Sequence, residues 1–236
     1  MVRYLAPLFF AGCLTACANM TQVLDTGAQV SQAMGYSPAQ LNTAVKDVLE
    51  LSVNRATDQL AQSGGYGQSS YWRLGLPESV RPVADTLKQL GLSGPLNQVE
   101  NLMNRGAELA AAEAKGVFLE ALKGMAVSDA IGIVRGGNTA ATDYFRSITE
   151  AQLRTRYQGI MQNQLQQVGF YKQYQQILTT YKALPMANKP DLDLEQYAVN
   201  QGLQALFGQI AEEERKIRAN PVEQGTALIG AIFGKR

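Results

Sequence analysis

Apolar residues in this chain recur at three- and four-residue steps over long stretches, and they show no sustained two-residue alternation. Leu41, Val45, Val48, Leu49, Val53, Ala56 and Leu60 form one such series. That spacing places one apolar stripe along a helix of 3.6 residues per turn, whereas a half-buried strand needs a period of two. Gly64-Gly65, Pro77, Gly91, Gly136-Gly137, Pro185 and Pro190 fall between the stripes, so the chain reads as a succession of helices with marked ends.

The first stripe opens at Ser37-Pro38, an N-cap followed by proline at the first helical position, and stops at Ser63-Gly64-Gly65. Tyr66 to Pro77 cannot continue it, being aromatic, interrupted by glycine and closed by proline. This insert is expected to be an extended strip or small hairpin, with Trp72, Leu74 and Leu76 covering a gap between helices. The alternative is a binding lip anchored on Trp72 beside Tyr71.

A second helix is expected from Glu78 to Gln89, stopping at Gly91, and a third from Pro95 to Lys123. Gly106 to Gly116 is rich in alanine and glycine, so another helix can approach it closely and the third helix should be central. Ser128 is placed to cap a short helix over Asp129 to Val134, and Asn138 another over Thr139 to Arg146. Thr149-Glu150-Ala151-Gln152 matches a capping box and opens a helix to Leu184, with Tyr157, Met161, Leu165, Tyr174 and Tyr181 on its inner face. Asp193 caps a helix through Arg218, Asn220-Pro221 breaks it, and a tail helix carries Ile229, Ile232 and Phe233. The expected fold is all-α, a compact bundle of seven or eight helices with one irregular insert, in a single domain over 37–236.

The first residues carry an address. Arg3 precedes the short apolar stretch Leu5 to Leu14, which is too short to span a bilayer but suits the core of a signal peptide. Leu14-Thr15-Ala16-Cys17 resembles a lipobox, so residues 1–16 are expected to be removed and Cys17 acylated. Cleavage after Ala18, releasing a soluble protein, and acylation at Cys13 are the weaker alternatives. Residues 17–36 then form a polar tether. Ala18 is not the aspartate that often retains lipoproteins in the inner membrane, so the expected location is the outer membrane, facing the periplasm.

The chain has 21 Lys and Arg against 20 Asp and Glu, and loss of Arg3 leaves the two balanced. No global charge draws it to phosphate backbones, and nucleic acid is not expected as a partner. With 0 His, a Ser-His-Asp or Cys-His system and a Glu-x-x-His metal pair are impossible. Arg135-Gly136-Gly137-Asn138 lacks the lysine of a phosphate loop. Neither a cofactor nor a metal is expected. Glu78, in Pro77-Glu78-Ser79, weakly resembles the Glu-Ser of lytic transglycosylases but lacks the glycine-rich segment that follows there.

Arg105 and Glu108 are spaced to pair on one helical face, as a structural ion pair or a ligand grip. Asp129 and Asp143 sit at helix starts, where carboxylates are favoured. Glu212–Lys216 and Glu214–Arg218 have the spacing of a solvated charged face.

Several segments resemble the bacterial domain-of-unknown-function family DUF4197: Asn104-Arg105-Gly106-Ala107-Glu108, Ser128-Asp129-Ala130, and Gly136 through Phe145 with Ala140-Ala141-Thr142 and Tyr144-Phe145. Towards the C-terminus they are Tyr197, Leu206-Phe207, Ile210-Ala211-Glu212-Glu213-Glu214, Ile217-Arg218-Ala219-Asn220-Pro221 and Phe233-Gly234. The likeness covers 37 to 234, departing at Gly159-Ile160-Met161, where relatives have a proline. It implies a helical fold and an exported address, and brings no activity or catalytic residues. The functional expectation is a non-enzymatic envelope lipoprotein that binds a protein partner or supports the envelope. A carrier or sensor of an apolar ligand such as lipid is the second reading, and a carboxylate-dependent enzyme the third. Tyr71, Trp72, Arg105 and Glu108 are the candidate contact residues.

Overall fold

Ser37 accepts a hydrogen bond from Gln40 N at 3.2 Å, and the Gln40 side chain accepts one from Ser37 N at 2.8 Å. This reciprocal capping box, closed by a Gln40 the sequence reading did not use, starts α1 at Pro38–Leu60. In the computed structural model, which describes residues 35–186 and 189–234, α2 follows at Arg81–Leu87 and α3 at Ser93–Gly124. The remaining helices are α4 Ala130–Arg135, α5 Ala140–Gln167, α6 Phe170–Ala183, α7 Leu194–Ala219 and α8 Ala227–Phe233, with a single helical turn at Pro221–Gln224. The fold is all-α, with no strand among the described residues, so the insert is not a hairpin: it turns through Tyr71 and Trp72 and runs without regular structure from Arg73 to Pro77. The leader, Cys17 and the tether to residue 34 lie outside the described residues.

Helices α1, α3, α5 and α7 form the core, and α3 packs against α1, α5, α6 and α7. Helices α1 and α3 run antiparallel: Lys46 Nζ reaches the Lys123 carbonyl at 3.3 Å, and Lys115 pairs with Asp58 at 2.8 Å. The alanine and glycine stripe of α3 does what small residues permit. A Cβ on Gly106 would lie 2.8 Å from Leu165 Cδ2, so a larger residue would force that leucine on α5 to repack. Where α3, α5 and α7 meet, Phe118, Phe145 and Phe207 pack with ring centroids 5.3–6.2 Å apart.

Four boundaries depart from expectation, each for a local reason. Asp129, not Ser128, caps α4 by accepting from Gly132 N at 2.7 Å, while Ser128 bonds the Tyr144 hydroxyl. The two helices expected to meet near Thr149 are one. Thr149 Oγ1 donates back to the Phe145 carbonyl at 2.6 Å, as hydroxyls do inside helices, and no capping box forms. The long helix instead breaks at Gly169, whose φ of +80° is open to glycine and costly for other residues. The helix expected over Glu78 to Gln89 is a 3₁₀ turn at Glu78–Val80, then α2, then a π turn at Lys88–Leu92.

Candidate functional site

The four candidate contact residues meet at the insert between α1 and the segment that begins at Glu78: Tyr71 and Trp72 lie in it, and Arg105 and Glu108 lie on α3, where Glu108 bonds it. Glu108, on α3 and only 4% exposed, accepts from Gly64 N at 2.9 Å and Gly67 N at 3.4 Å through one oxygen. Its other oxygen accepts from Arg105 Nη1 at 3.2 Å. The expected Arg105–Glu108 pair therefore forms, and its carboxylate serves as a cap for loop N–H groups that would otherwise be unpaired. One turn earlier on α3, buried Asn104 accepts from Leu74 N at 2.9 Å and donates to the Leu74 carbonyl at 2.8 Å. It thereby binds the loop as a neighbouring strand would. Its amide also donates to the Glu100 carbonyl at 2.7 Å.

Trp72 closes the far side. Its Nε1 donates to Gln209 Oε1 at 2.8 Å, and Gln209 donates in turn to Gln59 and Glu213 at 2.9 and 3.2 Å. The six-membered ring lies so close to Gly208 of α7 that a Cβ there would overlap it. Trp72 and Leu74 thus cover a gap between helices, with little room left beneath the indole. Ser69 Oγ accepts from Tyr71 N and Trp72 N at 3.2 and 3.0 Å, which tightens the turn between them. Below it, Tyr66 is fully buried and donates to the Gly202 carbonyl at 3.1 Å. Burial pushes its phenol well above the ordinary tyrosine range, and the nearby Tyr157 and Glu108 push the same way.

The side chains that remain outward are Tyr71, 86% exposed, and Arg105, about half exposed. Arg73 also faces out, paired with Glu100 at 3.3 Å. The sequence reading missed Asn104 and Gln209 as loop holders. The available signal was an amide on an otherwise apolar helical face, where burial demands a partner.

A second polar cluster corrects the expectation of a solvated face. Glu214 and Arg218 are buried, with side-chain exposures of 0% and 1%, and pair at 2.6 Å. Glu214 also accepts from Ala141 N, Thr142 N and Thr142 Oγ1 at 3.0, 2.7 and 2.6 Å, capping the start of α5 from another helix. Arg218 donates to the Ile133 and Val134 carbonyls at the end of α4, and its guanidinium lies 4.8 Å from the Phe233 ring centroid. Each charge thus meets the helix end of opposite polarity. The expected Glu212–Lys216 pair also rearranges: Glu212 meets Arg215, and Lys216 meets Glu213 at 2.7 Å.

The other carboxylates take local partners. Asp143 accepts from Thr139 Oγ1 at 2.8 Å, and exposed Glu78 pairs with Arg81 at 2.7 Å. Among the described residues, no three of His, Cys, Asp and Glu are grouped to hold a metal ion, and no helix is long and apolar enough to cross a membrane.

No curated protein and no solved structure matches the chain. The segments that resembled DUF4197 supply Asn104 and Glu108 of the insert, Ala141 and Thr142 of the α5 start, and Glu214, Arg218 and Phe233 of the buried cluster. The family model described as protein of unknown function (DUF4197) matches residues 35–234, and the chain belongs to that family.

Proposed function

We propose that this protein is a non-enzymatic lipoprotein, acylated on Cys17 and held at the periplasmic face of the bacterial outer membrane, whose helical body docks an envelope protein through the insert. One observation carries the docking: Tyr71 is 86% exposed on a loop whose backbone is bound by Asn104, Glu108 and Ser69 and whose Trp72 side chain bonds Gln209. A large aromatic that is already ordered loses little freedom when a partner covers it, and tyrosine and arginine are common anchors of interfaces. The chemistry of the neighbouring acids supports a binding rather than a catalytic role, because Glu108 and Glu214 have their oxygens committed to backbone N–H groups and arginine.

The anchor rests on the lipobox and is tested first by mass. The protein purified from membranes should begin at Cys17 and carry diacylglycerol and an N-acyl chain. A mature chain starting at residue 19 without lipid would overturn it. For docking, a photo-crosslinking residue at position 71 should give one discrete protein adduct in intact cells, weakened by Asn104→Ala, which loosens the loop. No adduct at 71, or an adduct indifferent to Asn104→Ala, would remove the insert from the interface.

A further inference from the structure

Residues 78–92 cover one side of the bundle with three kinds of helix in succession, and they end at Gly91, whose φ is +86°. Short π segments inside helices are often found where function requires an unusual local geometry. The side-chain hydrogen bonds and ion pairs this flap makes among the described residues are internal: Arg81 to Glu78 at 2.7 Å, Lys88 to Asp85 at 3.1 Å and Thr86 to the Pro82 carbonyl at 3.3 Å. Among the described residues its side chains meet the body through apolar packing alone. Val83, Ala84 and Leu87 of the flap share a cavity with Leu96, Ile177 and Leu192.

That cavity has a wholly apolar wall and measures about 10 Å³, scarcely room for one water. It lies beneath the flap, with Leu76 from the end of the insert on its wall, and Trp72 against Gly208 takes no part in it. A wall with no polar group and no aromatic ring recognises neither hydrogen-bonding nor stacking ligands, and suits an aliphatic chain. Glu78 and Arg81, next in sequence to the cavity-lining Val80, pair with each other and keep their side chains mostly in water.

We infer that the flap of residues 78–92 opens to admit one aliphatic chain, of a fatty acid or a membrane lipid, into the seam between α2 and α6. Opening breaks no polar bond to the body, and the chain replaces the apolar contacts the flap gives up. The exposed Glu78 and Arg81 beside the seam leave the ligand's head in water. Tyr71 is not part of the seam's wall, so crosslinking at position 71 and chain binding are read separately.

The test uses the full precursor carrying Cys17→Ala, exported, cleaved and purified without lipid, with cis-parinaric acid as the fluorescent chain. Saturable fluorescence displaced by palmitate is expected, together with slower amide exchange across 78–92. Displacement by palmitate alone identifies a free fatty acid as the ligand, and displacement also by lysophosphatidylcholine identifies a lipid with its headgroup outside. Ala84→Leu, which fills the cavity, should weaken binding at least tenfold. Leu87→Ala, which enlarges it, should tighten binding several-fold, and this holds the test open if Ala84→Leu fails to fold. The proposal is overturned by the absence of saturable binding to both the parent and Leu87→Ala. It is equally overturned by unchanged affinity in a folded Ala84→Leu, or by ligand-induced protection that falls outside residues 78–92.

Discussion

Between α1 and α3 the chain passes through two irregular stretches that adjoin in sequence and differ in what holds them. Residues 61–77 have no helix of their own, yet Asn104, Glu108 and Gln209 bind them to α3 and α7 through buried hydrogen bonds. Residues 78–92 are a succession of helical turns broken at Gly91, and among the described residues no side-chain hydrogen bond or ion pair joins them to the body. The stretch that looks like a loop is therefore the better fixed of the two. Hydrogen bonds have a preferred direction and admit one arrangement, whereas apolar packing is roughly proportional to area and tolerates sliding. Each stretch suits the role proposed for it: a rigid surface that presents Tyr71, and a cover that opens.

The comparison is broken most severely at Asn104. Asn104→Ala leaves the buried Leu74 N–H and carbonyl without partners, and each unsatisfied group costs about 1–3 kcal/mol. A loss of roughly 3 kcal/mol is expected as a lower denaturant midpoint at unchanged slope, with faster amide exchange centred on Leu74. A loss below about 0.5 kcal/mol would mean that water replaces the amide, and that the insert is no better fixed than the flap.

Glu108→Gln is the next largest. It keeps an acceptor for Gly64 and Gly67 but removes the charge from those bonds and from Arg105, for an expected cost of about 1–2 kcal/mol. Arg105→Ala should cost less than about 1 kcal/mol, since half of that side chain is already in water. If the arginine change proved the more costly, the carboxylate's role would be ion pairing and not loop capping.

The bundle itself was readable because apolar period, caps and helix stops are local signals. Ser37, Asp193, the stop after Leu60 and the close approach at Gly106 all appear where residue type and spacing place them. The buried cluster was not readable. An i, i+4 pair such as Glu214–Arg218 has the same spacing on a wet face as on a dry one, and its burial depends on Thr142, Val134 and Phe233 arriving from distant parts of the chain. Likewise Thr149 satisfies a capping pattern in sequence, but its hydroxyl has an equally near acceptor in the preceding turn, and the continuous helix wins. At the insert, Tyr71 and Trp72 stood out by composition. Which of them turned inward was decided by Gly208, far away in sequence on α7.

The smallest effect expected is also the sharpest test of the flap. Its ion pairs, Arg81–Glu78 and Lys88–Asp85, join side chains that are 49–78% exposed, and both lie wholly within the flap. They therefore remain intact whether it is closed or open, and they add nothing to the difference between the two states. Glu78→Gln and Lys88→Ala should each change stability by less than about 0.5 kcal/mol. Amide exchange across 78–92 should be indifferent to both changes. It should also not accelerate when ionic strength is raised from 0.05 M to 1 M, a range over which exposed charges become strongly screened. The Glu108-capped amides of Gly64 and Gly67 should stay protected through the same range, because a carboxylate that is 4% exposed is shielded from counterions. Salt-accelerated exchange in the flap alone would show that charge helps to close it. The distinction between a polar-bound insert and an apolar-held cover would then fail at the cover, and the seam beneath it would have lost its reason to open towards a hydrocarbon chain.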